Sequence, residues 1–163
     1  MAFEIKKDEF DKANTHEKRR YINTPGEYVV EIEAAKVIKI KKLNNYKTGV
    51  VEFRIKEVIA GDVPVGTACN WMACSNPQYS SLQVSELKNF SQAALKAEAA
   101  KDGDVPAADE LNDPGIINSI FVDADDHPAD EAPDSLTKKL EMRIRFSEKT
   151  NKKGNTFVIG SWV

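Results

Sequence analysis

The sequence predicts a mostly β protein with one helix, arranged as a small barrel of five strands with the helix between the third and the fourth strand. Three observations lead to this class. Apolar and polar residues alternate, as in half-buried strands, before residue 75 and again after residue 139. A stretch between these regions has helical periodicity instead. A barrel is expected because curling an antiparallel sheet removes its exposed edges.

The first three strands are expected between residues 28 and 75. The first, YVVEIEAAKVIKI, carries apolar side chains on one face and charged side chains on the other. The second, VVEFRIKEVIAG, alternates in the same way and changes phase at residues 56–58, which predicts a β-bulge. The third, TACNWMACS, places Trp71 on the same side as Cys69. The odd spacing of Cys69 and Cys74 directs the two thiols to opposite faces and argues against a disulfide between them.

A helix is predicted from about residue 81 to residue 101. Ser80 and Gln83 have the spacing of a capping box. The expected core-facing stripe consists of Val84, Leu87, Phe90, Ala94 and Ala97. After the helix, IINSIFVDA suggests a short strand, and the closing segment LEMRIRFSEKTNKKGNTFVIGSWV reads as a two-stranded hairpin with a basic turn. Five strands with a helix between the third and fourth is the order of the OB-fold. A β-sandwich with an inserted helix is the structural alternative.

The domain organisation follows from the charge distribution. We interpret residues 25–163 as one OB-fold-like domain, preceded by a polar arm at residues 1–24 and carrying an acidic, partly flexible insertion at about residues 102–135. The net charge of −3 conceals a partition, because Asp102–Asp134 holds eleven acidic residues and no Lys or Arg. The rest of the chain therefore holds 15 of the 26 acidic residues and all 23 basic residues, so it carries an excess of positive charge. The insertion is either a solvated loop or an internal polyanion that competes for the basic surface or recruits a partner.

Catalytic and metal-binding patterns are not found in the sequence, so an enzyme is not expected. Neither His16 nor His127 stands beside a plausible nucleophile, and with Cys69 and Cys74 they do not have the spacing of a zinc site. The segment DADDHPADEAPD has Asp at positions 1, 3 and 12 of a calcium loop, but Pro128 replaces the required turn glycine. No cofactor is predicted. The N-terminus has no apolar segment suited to secretion, and no apolar run could span a bilayer, so a cytoplasmic location is expected.

The remaining signal is a cationic surface with aromatic residues. Two strands place Arg54, Lys56, Arg143 and Arg145 on their non-core faces. The two turns that would flank a binding face contribute further lysines: Lys39, Lys41, Lys47, Lys149, Lys152 and Lys153. Cations neutralise phosphates and aromatic rings give bases a stacking platform, for which the candidates are Tyr46, Trp71 and Trp162. Taken singly, each of these residues has an ordinary structural explanation, such as a solvated strand face or a core aromatic.

Four segments, PGEYVVEIEAAKVIKIKK, GVVEFRIKEVIAG, NWMACSNPQYSSLQVSELKNFSQAAL and the closing hairpin, resemble the small phage OB-fold proteins encoded near replication and recombination genes. The resemblance covers roughly residues 25–98 and 136–163. It implies binding to single-stranded DNA and assistance to a recombinase, a helicase–primase or a polymerase, in the host cytoplasm. It also places Lys152, Lys153 and Gly154 in the loop between the last two strands. Such proteins often end in an acidic tail, whereas here the acidic residues are internal.

The leading functional hypothesis is therefore sequence-independent binding of single-stranded DNA in phage-type replication or recombination. One alternative is a protein-interaction or structural module that uses the same barrel without DNA. Another is an accessory subunit of a nuclease or polymerase whose acidic segment mimics DNA. The choice between DNA and RNA is left open, as is the oligomeric state, with a homodimer among the options.

Overall fold

The structure is a computed structural model that describes residues 6–7, 19–123 and 139–163, with residues 122 and 123 described as backbone only. These residues form one curled sheet, shaped like half of a barrel, with a long helix packed against it. The described chain is thus mostly β with one long helix, as the sequence predicted. His16, His127 and most of the calcium-like segment lie outside the described residues.

The sheet contains seven strands within the described residues. They are β1 (Arg20–Tyr21), β2 (Gly26–Ile40), β3 (Tyr46–Ala60), β4 (Ala68–Met72), β5 (Val122–Asp123), β6 (Glu141–Thr150) and β7 (Thr156–Trp162). The spatial order is β1-β4-β3-β2-β6-β7, and β5 pairs with β2. Neighbours are antiparallel except for the parallel pairs β1–β4 and β2–β5. The prediction of five strands was too low, because β1 and β5 are two-residue strands that are too short to show alternation.

Among the described residues, three helices lie between β4 and β6. They are α1 (Ser80–Lys101), α2 (Ala108–Leu111) and α3 (Gly115–Ile120), and a 3-10 turn at Pro77–Tyr79 precedes α1. Helix α1 follows β4, the fourth strand along the chain, rather than the third as predicted, because β1 precedes the predicted strands; among the five longer strands it lies between the third and the fourth. The strand predicted at IINSIFVDA is mostly wrong, because Ile116 and Ile120 lie four residues apart and bury the same face of α3. Only Val122–Asp123 of that segment is extended.

The core is built from the inward faces of the long strands and from α1. Tyr28, Val30 and Ile32 of β2 are buried, as the alternation predicted. Helix α1 contributes Phe90 and Ala94, but Val84 is 55% exposed and does not belong to the predicted stripe. The predicted capping box is also wrong, because α1 has no side-chain cap and the Gln83 side chain is buried.

Side chains connect the two ends of the curled sheet. The five longer strands run in the order β4-β3-β2-β6-β7, so β4 and β7 are the two ends. The indole Nε1 of Trp71 on β4 donates a hydrogen bond to the carbonyl oxygen of Gly160 on β7 at 3.2 Å. Gly160 permits this approach, because a Cβ there would lie 3.0 Å from Trp71 Cδ1 and 2.8 Å from Phe146 Cε1. The gap between β4 and β7 is therefore bridged by an indole rather than by main-chain pairing.

Parts of the predicted arm and insertion belong to the folded body. Residues 20–21 form β1 beside β4, and Ile22 is buried. Ile116, Ile120 and Phe121, from the predicted acidic insertion, join the core beside α1. The thiols of Cys69 and Cys74 are both free. Within the described ranges, no helix combines the length and the apolar character needed to cross a membrane.

Candidate nucleic-acid interface

The β6–β7 hairpin extends beyond the rest of the sheet. Strand β6 pairs with β2 only as far as Phe146 opposite Gly26, whereas the β6–β7 pairing continues to Thr150 opposite Thr156. At the tip, the Asn151 side-chain oxygen accepts hydrogen bonds from the amides of Lys153 (2.9 Å) and Asn155 (3.0 Å). Gly154 completes the turn with a φ of 82°. This turn holds the exposed Lys152 and Lys153 at the end of the hairpin.

One surface of this hairpin combines cations with exposed apolar side chains. Because side chains alternate along strands, Arg143, Arg145 and Lys149 of β6 share the outer face with residues of β7. These β7 residues are Phe157, directly opposite Lys149, and Ile159, opposite Ser147. We call the set Arg143, Arg145, Lys149, Phe157 and Ile159 the hairpin face. Phe157 is 44% exposed and offers part of its ring to solvent.

Sequence reasoning did not select Phe157, although a signal was present. Phe157 and Trp162 are five residues apart, so in a strand they point to opposite faces. A buried Trp162 therefore implies an outward Phe157. The apolar run FVI hid this alternation, because each of its residues is compatible with either face.

The structure contradicts the prediction that Trp71 and Trp162 are stacking platforms of the binding site. They are 5% and 3% exposed, respectively, and lie in the aromatic core. The Trp162 ring lies 4.8 Å from the Phe90 ring and 5.8 Å from the Trp71 ring, measured between centroids. Neither indole presents a face on which a base could stack. Of the three predicted aromatic platforms, only Tyr46 is partly exposed, and its hydroxyl accepts a hydrogen bond from Gln83 Nε2 at 3.1 Å.

The outer face of β2 and β3 is a mixed-charge network. Arg54 and Lys56 point outward, as predicted, and one of the three register shifts between β2 and β3 lies at Lys56, within the predicted residues 56–58. Their cationic groups approach carboxylates of β2, Arg54 Nη2 at 3.7 Å from Glu33 Oε1 and Lys56 Nζ at 3.6 Å from Glu31 Oε2. These pairs reduce the positive potential that the two cations contribute to the surface.

Arg19 covers part of this same face. Its guanidinium donates hydrogen bonds to the Cys69 carbonyl oxygen (3.2 Å) and to Glu33 Oε1 (2.8 Å), and its Nε lies 3.6 Å from Glu52 Oε2. It thereby spans β2, β3 and β4. Sequence analysis had assigned Arg19 to the polar arm, because the contacts that fix it come from residues far away in the chain.

Arg143 and Arg145 share one carboxylate. Arg145 Nε lies 2.6 Å from Glu27 Oε1, and Arg143 Nη1 lies 3.9 Å from Glu27 Oε2. Both arginine side chains are about half exposed, whereas the Glu27 side chain is mostly buried. Two guanidinium groups against one carboxylate leave this part of the hairpin face with a positive excess.

The other predicted basic region is the β2–β3 turn. Lys39 and Lys47 stand directly opposite each other, and Lys41 lies in a 3-10 turn at residues 41–43. All three are exposed. This turn follows the carboxyl end of β2, whereas the hairpin tip extends beyond Gly26 at the opposite end. The pairing therefore separates the two basic turns along β2 rather than bringing them together.

The described residues provide little basis for metal or thiol chemistry. In residues 19–123 and 139–163, no three His, Cys, Asp or Glu side chains are grouped closely enough to hold a metal ion. Burial raises the pKa of the Cys69 thiol, against a smaller opposing effect of Arg20, Arg19 and Arg54, and this keeps the thiol protonated. Comparison of the chain with models of known protein families and with curated proteins found no match.

Proposed function

We propose that this protein is a non-enzymatic, sequence-independent binder of single-stranded DNA with an OB-fold, acting in phage-type replication or recombination. The order of the longer strands supports the fold assignment. Numbered along the chain, these strands lie in the order third, second, first, fourth, fifth, with α1 between the third and fourth. An OB-fold is a five-stranded, partly open Greek-key barrel. The Trp71–Gly160 hydrogen bond spans the gap at which such a barrel is open.

The hairpin face is the observation that carries the functional proposal. It aligns three cations with the exposed Phe157 ring on one two-stranded ribbon, and Lys152 and Lys153 extend the positive charge to its tip. Phosphates of a single strand would contact the cations, while a base would stack on Phe157. Because both contacts are independent of base identity, little sequence preference is expected.

The ion pairs indicate which cations contribute most to the binding of DNA. A cation that already contacts a carboxylate exchanges one anionic partner for another when it binds a phosphate, so its gain is small. Arg54, Lys56, Arg143 and Arg145 belong to this group. Lys152 and Lys153 are exposed at the hairpin tip and form no ion pair within the described residues. These two lysines are therefore expected to contribute more to the salt dependence than the strand cations.

The test is a fluorescence anisotropy titration of labelled oligo-dT, and of the matching duplex, at several salt concentrations. Replacing Lys152 and Lys153 with Ala should lower affinity and reduce the slope of log K against log salt by about 1.4, at about 0.7 per phosphate contact. Phe157→Ala should cost about 1–3 kcal/mol of binding free energy and leave the slope unchanged. The matched control replaces Lys88 and Lys96, two exposed lysines of α1, with Ala. If the control variant loses as much affinity, the hairpin lysines act only through the net charge of the protein.

A second candidate function is protein binding without DNA. One observation favours it: the start of α1 exposes the large apolar side chains of Tyr79, Leu82 and Val84. Exposed apolar groups of this size are common at protein interfaces. A folded protein that fails to bind oligo-dT even at low salt would support this function over the first.

A further inference from the structure

Strand β7 forms an edge of the sheet, and its main-chain groups alternate between two directions. The Val163 amide donates to the Arg143 carbonyl oxygen at 3.0 Å, and the Asn151 amide donates to the Asn155 carbonyl oxygen at 2.9 Å. In this antiparallel register, the odd-numbered residues of β7 therefore hydrogen-bond to β6. The even-numbered residues, 156, 158, 160 and 162, direct their N–H and C=O groups away from β6, towards the edge.

Two of these edge-directed groups are satisfied within the described chain. The Trp162 amide donates to Asn89 Oδ1 at 3.2 Å, and the Gly160 carbonyl oxygen accepts from the Trp71 indole at 3.2 Å. The edge-directed groups of Thr156 and Val158 have no such partner among the described residues. Unpaired main-chain groups along an edge strand are a template for pairing with another strand.

The sequence of β7 lacks the features that usually protect an edge strand. Residues 154–163, GNTFVIGSWV, contain no charged residue and no proline. Edge strands that remain free commonly carry lysine, proline or a bulge, which prevent another strand from pairing. Phe157, Ile159 and Val163 are moreover exposed on the outer face. An uncharged, β-branched and aromatic edge fits an uncharged extended strand as its occupant.

We propose that this occupant is β7 of a second copy of the chain, paired antiparallel about a two-fold axis at Val158. In that register, Val158 meets its own counterpart, and the edge-directed N–H and C=O groups of the two Val158 residues form hydrogen bonds with each other. Thr156 lies opposite Gly160 of the second copy, whose carbonyl oxygen already accepts the Trp71 indole. Phe157 then lies opposite Ile159 of the second copy, and the reverse pair forms on the other side of the axis. Both are non-hydrogen-bonded pairs, in which cross-strand side chains approach most closely. A strand that is complementary to itself in this way gives a closed, isologous dimer.

Charge is compatible with this arrangement. The net charge of −3 produces little repulsion between copies. The antiparallel arrangement also directs the two lysine-bearing hairpin tips away from each other. The dimer does not depend on nucleic-acid binding. Where the proposed function holds, it would join two hairpin faces into one four-stranded platform of twice the width.

The first test is sedimentation velocity without nucleic acid over a roughly hundredfold range of protein concentration. The wild type should shift from monomer to dimer. Val158→Pro should remain monomeric, because proline removes an edge-directed N–H without removing a β6 hydrogen bond. The control Val65→Pro makes the same change at an exposed turn position far from β7 in the sheet order, and should dimerise like the wild type. A wild type that stays monomeric throughout, or a Val158→Pro variant that dimerises normally, would overturn the proposal.

Amide hydrogen exchange of the wild type tests the same interface without a substitution, in case Val158→Pro does not fold. Protection of the Val158 amide should rise with protein concentration, whereas the Ile159 amide, bonded to β6, should be protected at every concentration. Protection of Val158 that is independent of concentration in a monomer would mean that the chain covers its own edge. That result would exclude the second copy as the occupant.

Discussion

At the residue scale, Gln83 joins the long helix to the start of β3 through both ends of its amide. Its oxygen accepts hydrogen bonds from the Thr48 hydroxyl (2.6 Å) and the Gly49 amide (3.2 Å). Its nitrogen donates to the Tyr46 hydroxyl (3.1 Å) and the Lys47 carbonyl oxygen (3.2 Å). A buried amide with all of these partners fixes the position of α1 relative to the β2–β3 turn.

Replacing Gln83 with Ala should lower the free energy of unfolding by about 2–3 kcal/mol, because the buried Gly49 amide loses its acceptor and the Thr48 hydroxyl keeps only its longer contact, 3.4 Å, to the Ala73 carbonyl oxygen. Urea denaturation followed by tryptophan fluorescence measures this change. Gln78→Ala, at an exposed position just before α1, is the control and should change stability by less than about 0.5 kcal/mol. Equal stability of Gln83→Ala and the wild type would mean that water satisfies these groups.

The carboxyl group of Glu86, also on α1, should make the stability of the protein depend on pH. Burial raises the pKa of its carboxyl above the ordinary 4.5, and a hydrogen bond from the Cys74 amide opposes this shift. The folded state therefore binds the proton more tightly than the unfolded state. The resulting stabilisation is fully present below about pH 4.5 and is lost as the pH rises through the folded-state pKa.

Glu86→Gln should consequently raise the melting temperature at pH 7, because glutamine stays neutral and still accepts the Cys74 amide hydrogen bond. The gain should shrink near pH 4, where the wild-type carboxyl is itself largely protonated. Glu148→Gln removes an exposed carboxylate of β6 and serves as the control. The same gain at both pH values would show that the carboxyl charge is not the cause.

At the element scale, period-two alternation located β2, β3 and β6, since the two faces of a sheet impose that pattern directly. The bulge at Lys56 was visible for the same reason. Elements fixed by tertiary contacts were not visible. β1 forms because β4 offers an edge beside it, and α3 forms where Ile116 and Ile120 reach the core. Gln83 matched a capping-box spacing, but its side chain forms hydrogen bonds with polar groups of β3 instead of capping the helix.

The closure between β4 and β7 can be tested at Gly160. An added Cβ would lie within 3.2 Å of Phe146, Trp71 and Ile144 side-chain atoms, all of them buried. Gly160→Ala should therefore reduce stability by about 1–3 kcal/mol through overpacking, and should change the fluorescence of Trp71. Ser161→Ala, at the neighbouring exposed position, is the control. A fully stable Gly160→Ala variant with unchanged fluorescence would show that the indole does not hold the gap closed.

At the scale of the whole molecule, the sequence indicated how many cations the surface carries but not which of them are neutralised. Glu27 contacts Arg145, 118 residues away, only because the β2–β6 register places them side by side. The β6–β7 register likewise explains the burial of Trp162, which pairs with Ile144. Trp71 shares a side of β4 with the buried Cys69, a signal that the sequence already contained. Charge balance across the sheet is thus a property of pairing and not of any one strand.

The distribution of charge over the whole chain gives the last prediction. Five acidic residues of the predicted insertion lie outside the described residues: Asp125, Asp126, Asp130, Glu131 and Asp134. Replacing all five with Asn or Gln changes the net charge from −3 to +2. Affinity for oligo-dT should then rise at low salt, because long-range repulsion of the phosphates decreases. The gain should fade above about 0.1 M salt, where the screening length is about 10 Å.

The matched control exchanges Asp for Glu and Glu for Asp at the same five positions, which changes the side chains but keeps every charge. It should bind like the wild type at all salt concentrations. An unchanged affinity of the neutralised variant at low salt would show that these carboxylates do not act on the binding surface. A gain that persists at high salt would point to direct occupation of the surface by the acidic segment, since close contacts are screened less than distant ones.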